Sequence, residues 1–216
     1  TSHCYKIAID VPSAVESDSG AVLGPLPHYD LTLALGAWKL AHGLMPAMAA
    51  MGARRLVPIG IDIPDTGMQF ASPPQLRAPS PDAHKYRRGL LAVVAGAMPG
   101  APLLSAEAAM RSGAGYVKLL SEHAHPDAPA ELVIEQGDFA RAIDDERISA
   151  FLVGPGLGRD EQACERLAAV LERGRPTILD ADALHLIDRA LLAKANPAKL
   201  CVTPHEGELT KLCDSF

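Results

Sequence analysis

The runs LLAVVA (Leu90 to Ala95) and FLV (Phe151 to Val153) lack the polar alternation of a strand that meets water on one side, and each leads into a glycine. Strands of this kind belong in a parallel sheet covered by helices on both faces. Crossover connections must then return the chain to the same end of the sheet each time. The spacing predicts such a βαβ series. Its strands are expected at Leu90 to Ala95, Tyr116 to Leu120, Ala150 to Val153, Pro176 to Leu179 and Leu200 to Val202. Its helices are expected at Ala101 to Ser112, Glu161 to Arg173 and Ala183 to Ala193. In open sheets of this type ligands bind where the carboxyl ends of the strands and their loops converge.

Upstream lies a shorter α/β pattern. YKIAID (Tyr5 to Asp10) reads as a strand that ends on a carboxylate and meets the turn residues Pro12 and Ser13. Tyr29 to Leu35 and Val57 to Ile63 read as two more strands, separated by a loop over Lys39 to Gly52 with at most one helical turn. From Pro64 to Pro81 the composition turns to Pro, Ser, Gly and Gln, where Pro73, Pro74, Pro79 and Pro81 forbid regular helix. The expected organisation is therefore a first domain over 1–66, a linker over 67–83 and a second domain over 84–216.

Charge and cysteines narrow the partners. With 20 basic and 26 acidic residues the net charge is −6, which gives no field to draw in a nucleic acid or an anionic membrane. No run of 18 apolar residues and no signal-peptide pattern are present, so a cytoplasmic address without membrane contact is expected. Cys4, Cys164, Cys201 and Cys213 have no metal-ligand spacing and suit a reduced protein. Thr1 opens almost directly into a strand pattern and Phe216 closely follows a turn, so both ends are expected to be cut.

Four segments carry chemistry, all at expected strand ends. GPGLG (Gly154 to Gly158) permits positive φ and close backbone approach ahead of a helix N-terminus, and reads either as an anion-facing turn or as a plain tight turn. LDADAL (Leu179 to Leu184) places Asp180 and Asp182 where hard oxygen ligands can hold Mg²⁺ or its waters, while Asp182 reads as well as a helix N-cap. TPHEGEL (Thr203 to Leu209) crowds His205, Glu206 and Glu208 for hydrogen bonding or proton transfer, with a backbone-satisfied turn histidine as the other reading. In KYRRG, Lys85, Arg87 and Arg88 precede the first strand of the series, and Gly96, Gly100 and Ala101 form a further strand-to-helix turn.

In this order, KYRRG, AGAMPGAPLLSAEAAMRSGAGYV, GPGLG, LDADAL and TPHEGE resemble the carboxyl-terminal domain of the YjeF family. That domain is the ADP- or ATP-dependent NAD(P)H-hydrate dehydratase, a relative of the ribokinase-like kinases. The resemblance runs from Lys85 to about Leu212. IDVPSA, LTLALGAWKLAHGL and VPIGIDIP resemble the last portion of the family's Rossmann-like NAD(P)H-hydrate epimerase domain. The resemblance implies that Ala101, one or more of Gly154, Gly156 and Gly158, and His205 hold the hydrated nicotinamide. Asp180, Asp182 and Glu208 then lie near the nucleotide phosphates or Mg²⁺, Asp10 contacts the epimerase substrate and Ser13 helps to bind K⁺. Ala14 stands where the family has Gly.

The resemblance also implies a homo-oligomer and a kinase-like reaction, in which a ring hydroxyl attacks a terminal phosphoryl group and phosphate then leaves. The family's presumed base, the Asp of a GTGD turn, falls beyond Phe216, and the epimerase phosphate loop falls before Thr1. Two other functions share these features: a small-molecule kinase of the same fold, and a cofactor-binding module without catalysis.

Overall fold

The computed structural model describes residues 4–62, 70–71, 78, 80 and 88–216, and the chain divides into two compact units, Thr1–Leu76 and Arg77–Phe216. Most of the expected linker lies outside the described residues, as do Lys85 and Arg87. Among the described residues no helix is long and apolar enough to cross a membrane.

The first unit holds a parallel sheet of β1 (Ile7–Ile9), β2 (Leu31–Leu35) and β3 (Ala53–Val57), in that order. The third strand is ARRLV rather than the expected Val57 to Ile63. Pro58 has no N–H for the ladder and Gly60 adopts φ 76°, so pairing stops at Val57 with its partner Leu35. Ile63 lies outside the described residues. The expected loop over Lys39 to Gly52 contains two short 3₁₀ turns, Leu40–His42 and Ala47–Ala50. Ala41, Ala47 and Met51 form a small core there.

The second unit is a six-stranded parallel sheet. Its elements in chain order are β4 (Leu90–Val94), α1 (Gly100–Arg111), β5 (Tyr116–Leu120), β6 (Val133–Glu135), α2 (Phe139–Ile143), β7 (Ile148–Val153) and α3 (Glu161–Glu172). Then come β8 (Thr177–Leu179), α4 (Asp182–Leu186), α5 (Arg189–Ala193), β9 (Leu200–Val202) and α6 (Glu206–Ser215). The strand order is β6-β5-β4-β7-β8-β9. The chain moves outward from β4 to one edge, returns to pair β7 on the other side of β4, and moves outward again. β4 and β7 therefore flank the switch point, where their outgoing loops diverge and leave a crevice.

Alternate residues of β4 feed two cores. Leu90, Ala92 and Val94 pack with α3 residues such as Leu167 and Val170, whereas Val93 and Ala95 pack with Ala106 of α1. This is the two-sided burial that the unbroken apolar runs demand. Asp160 starts α3 by accepting the Ala163 N–H at 2.9 Å, and Ala163, Leu167, Val170 and Leu171 then repeat at helical spacing on the buried face.

The expected helix Ala183 to Ala193 is two helices. Ile187 turns to an extended backbone, and Asp188 caps the second helix by accepting the Leu191 N–H at 2.7 Å. Three further elements have no counterpart in the sequence reading: β6, α2 and α6. Each is short or begins inside a stretch that resembles a loop, and each helix is started by a cap, Asp138 for α2 and His205 for α6.

Candidate active site

The loops after β4, β7 and β8 interlock at the carboxyl edge of the sheet. Ala97 N–H donates to Leu157 O at 3.1 Å and Met98 N–H to Gly156 O at 2.9 Å, which ties the β4 loop to the glycine turn. Ala101 follows as the second residue of α1, half-buried. On the other side, Gly154 has φ 125°, and a Cβ there would stand 1.7 Å from the Asp180 carbonyl oxygen. Only glycine lets the β7 and β8 loops meet so closely.

Asp182 fastens the arrangement. Its side chain is 11% exposed, and the carboxylate accepts the Gly158 N–H at 3.0 Å and Arg159 Nε–H at 2.7 Å. It does not cap its own helix, for it is the first residue of α4 and Ala181 precedes it as the cap residue. Asp180 accepts the Thr203 hydroxyl at 2.8 Å, linking the β8 and β9 loops.

Ala181 has φ 47° and ψ −118°, and Asp180 O accepts Ala183 N–H at 3.1 Å across it. This is the first central position of a type II′ turn, where glycine is the unstrained residue. Ala181→Gly is expected to raise stability by about 1 kcal/mol, relief of strain outweighing the added freedom of the unfolded chain. A higher thermal midpoint checks this; an unchanged or lower one would show the turn to be unstrained.

His205 and Glu208 cap α6 reciprocally. His205 Nδ1 accepts the Gly207 and Glu208 N–H groups at 3.1 and 3.4 Å, and Glu208 Oε2 accepts the His205 N–H at 2.9 Å. The imidazole is a cap satisfied by backbone, yet its side chain is 72% exposed, with Nε2 3.3 Å from Glu208 Oε1. Because Nδ1 accepts, the neutral ring carries its proton on Nε2.

Of the carboxylates expected near Mg²⁺, Asp182 and Glu208 spend oxygens on protein donors, while Asp180 engages only one, Oδ1, with Thr203. Among the described residues no group of three His, Cys, Asp or Glu side chains converges as a metal site. One carboxylate fits Mg²⁺ that is held mainly by phosphates and water, which is how that ion usually binds. Arg88, from the basic segment, donates to Gly113 O at 2.6 Å and ties down the end of α1.

In the first unit Asp10 directly follows β1 with φ 62°. Its Oδ1 accepts the Leu35 N–H at 3.0 Å and the Lys39 ammonium, and its carbonyl oxygen lies 3.1 Å from Nε2 of the fully buried His42. His42 Nδ1 accepts Lys39 N–H at 3.0 Å, so Nε2 donates to Asp10. Burial opposes ionisation of Asp10, but Lys39 and the Leu35 N–H overcome it and hold the carboxyl below its ordinary range. Ser13 is exposed in the next turn, and Ala14 adopts φ 67°, the left-handed region in which the resemblance has Gly. The sequence reading missed Lys39 and His42 as supports of Asp10, and Arg159 beside the glycine turn. Arg159 directly follows GPGLG, a signal that was legible.

A six-stranded parallel sheet with a glycine turn at its switch point, after β7, and carboxylates after the neighbouring β8 defines a doubly wound α/β protein. The model of the NAD(P)H-hydrate dehydratase family matches residues 91–216, more than half of the sequence, and the chain belongs to that family. Among curated relatives it is similar to the bifunctional NAD(P)H-hydrate repair enzyme Nnr of Mycobacterium tuberculosis, with 34% identity over 95% of this chain and 44% of the relative. With the same enzyme of Salinibacter ruber identity is 32%, again over 95% and 44%. The chain thus spans a little under half the length of these relatives.

Among the solved structures that resemble it, two illustrate the likeness. A ribokinase-like superfamily protein of Enterococcus faecalis has a TM-score of 0.56 and 25% identity, covering 62% of this chain and 51% of that one. The ADP/ATP-dependent NAD(P)H-hydrate dehydratase of Bacillus subtilis, co-crystallised with ATP/Mg²⁺, has a TM-score of 0.50 and 28% identity, covering 64% and 52%.

Proposed function

We propose that this chain contributes to the repair of hydrated nicotinamide cofactors, through nucleotide-dependent dehydration of (S)-NADH or (S)-NADPH hydrate with ADP or ATP and Mg²⁺. The observation that carries the reading is the family match over residues 91–216, a span that contains GPGLG, LDADAL and TPHEGE. The interlocked loops offer what phosphoryl transfer to a ring hydroxyl requires of a protein, which is chiefly positioning and charge stabilisation. Ala101 and the turn Gly154, Gly156 and Gly158 form a close-approach wall for the hydrated ring, and the exposed edge of His205 supplies a hydrogen-bond donor. Asp180 is the carboxylate with room for a Mg²⁺ contact. Asp182 and Glu208 position these groups through the N–H groups they hold.

In the first unit, the same reading assigns Asp10 to the substrate of an epimerase site and Ser13 to its K⁺. One exposed hydroxyl and one fixed carboxylate match part of an oxygen-donor set. Homo-oligomeric assembly and a cytoplasmic address complete the proposal.

The test is recovery of NADH absorbance from hydrated NADH. Absorbance should return with ATP or ADP and Mg²⁺ and stay flat without nucleotide. Accumulation of a stable phosphorylated hydrate would make the chain a kinase instead, and no reaction at all would leave it a binding module.

A further inference from the structure

The residues that flank the glycine turn outward from the switch point carry two cations held in fixed places by one short helix. Asp182 and His185 lie three positions apart on α4 and so share one face. Asp182 holds Arg159 through Nε, and His185 holds Lys211 of α6, whose Nζ lies 2.9 Å from Nδ1 and 3.2 Å from the carbonyl oxygen of that histidine. Arg159, from the loop after β7, and Lys211, from α6, are thereby drawn to the same face of α4.

Each cation keeps donors for a further partner, although Arg159 already pairs with Asp182. The Arg159 side chain is 58% exposed, and the Asp182 contact engages Nε alone, leaving the terminal nitrogens of the guanidinium for a second partner. Lys211 donates to groups that carry no negative charge. Of the acids close by, Asp182 divides its carboxylate between Gly158 N–H and Arg159, while Glu208 is engaged by His205 and Asp180 by Thr203. The field of both cations reaches His185, where, after burial, Arg159 and then Lys211 hold the imidazole below its ordinary range despite Glu208 and Asp182. A planar fork and a point ammonium, both preset, are the donors that recognise phosphate oxygens.

We infer that Arg159 and Lys211 form a phosphate-binding subsite beside the glycine turn, which takes a diphosphate or phosphate ester of the nucleotide or of the dinucleotide substrate. The subsite stands on this geometry; the two candidate ligands rest on the proposed function.

Binding of inorganic pyrophosphate, ATP with Mg²⁺ and NADPH to this chain is measured by titration calorimetry, with adenosine and nicotinamide riboside as phosphate-free controls. Arg159→Gln and Lys211→Met should each weaken pyrophosphate about five- to tenfold, the loss expected for one charge-assisted contact at a part-exposed site. The controls should be unchanged. A parallel loss for ATP or for NADPH names the source of the phosphate, and either result supports the subsite. Wild-type protein that binds none of the three phosphates, variants that bind them as well as wild type, or an equal loss for the phosphate-free controls overturns it.

Thermal melts identify a variant that fails to fold, and the second variant then carries the test. Hydrate turnover on the same samples separates the two claims. Turnover with unaltered phosphate affinity in both variants sinks the subsite alone, whereas lost phosphate affinity in the variants without wild-type turnover sinks the dehydratase reading alone.

Discussion

Gly154→Ala is expected to lower the unfolding free energy by about 3 kcal/mol or more, the range reserved for substitutions that force backbone apart. Two costs combine. At φ 125° an L side chain is strained in any surroundings, and the added methyl would stand 1.7 Å from Asp180 O and 2.9 Å from Ala183 Cβ. Neither neighbour is the free end of a flexible side chain. The β8 loop would have to retreat, taking with it Asp182 and its hold on Gly158 and Arg159.

Gly174→Ala is the control, since Gly174 has φ 60° with nothing within 4 Å of the added methyl. It should cost only the conformational term, about 1 kcal/mol. Urea midpoints of the two variants measure the difference. Equal losses would mean that the approach of the β7 and β8 loops is not what confines position 154 to glycine. Ligand binding at the turn should disappear in Gly154→Ala and persist in Gly174→Ala.

Positions such as Gly154 explain why the second unit was legible in advance. Unbroken apolar runs could satisfy their backbones and their side chains only in a covered parallel sheet, so β4, β5, β7, β8 and β9 fell close to their expected places. The first unit was less legible because its third strand is ARRLV, a polar stretch, next to the more strand-like VPIGIDI. Hydropathy pointed to the latter; the missing N–H of Pro58 decided for the former. For the candidate site, residue types at strand ends were sufficient to single out Asp180, Asp182, His205 and Glu208 as candidates, but not to assign their hydrogen-bond partners. Asp182 bonds across 24 positions to Gly158 N, and such pairings depend on which loops the strand order brings together. The reading of Asp182 as a cap had the right chemistry, a carboxylate on a free N–H, with the wrong N–H.

Lys118 is the other residue that sequence alone leaves unexplained. It interrupts the run YVKLL in the middle of β5, its side chain only 9% exposed, and it is retained by Glu135 of β6 at 2.6 Å and Asp145 at 2.9 Å. Burial disfavours its charge, but the hydrogen bonds it donates to Glu135 and Asp145 outweigh that and raise its pKa. Asp145 is held well below the ordinary carboxylate range, by Arg147 first, against burial, and by Lys118 next. Lys118→Met keeps a similar volume and removes the charge, leaving two carboxylates facing a neutral side chain. The loss should be about 3 kcal/mol, as for other buried pairs that lose one member.

The pH dependence distinguishes charge from packing. Asp145 binds its proton less readily when folded, so its share of stability is present above its unfolded pKa of about 3.9 and drains away as pH falls from there towards its folded value. Lys118 binds its proton more tightly when folded, so its share is present below about pH 10.4 and is lost as pH rises through the folded value. The difference between wild type and Lys118→Met should therefore be largest between about pH 4 and pH 10 and should shrink on either side. Urea unfolding at pH 3, 7 and 11 checks it. A difference that stays the same at all three would assign the loss to packing of the lysine stem and not to its charge.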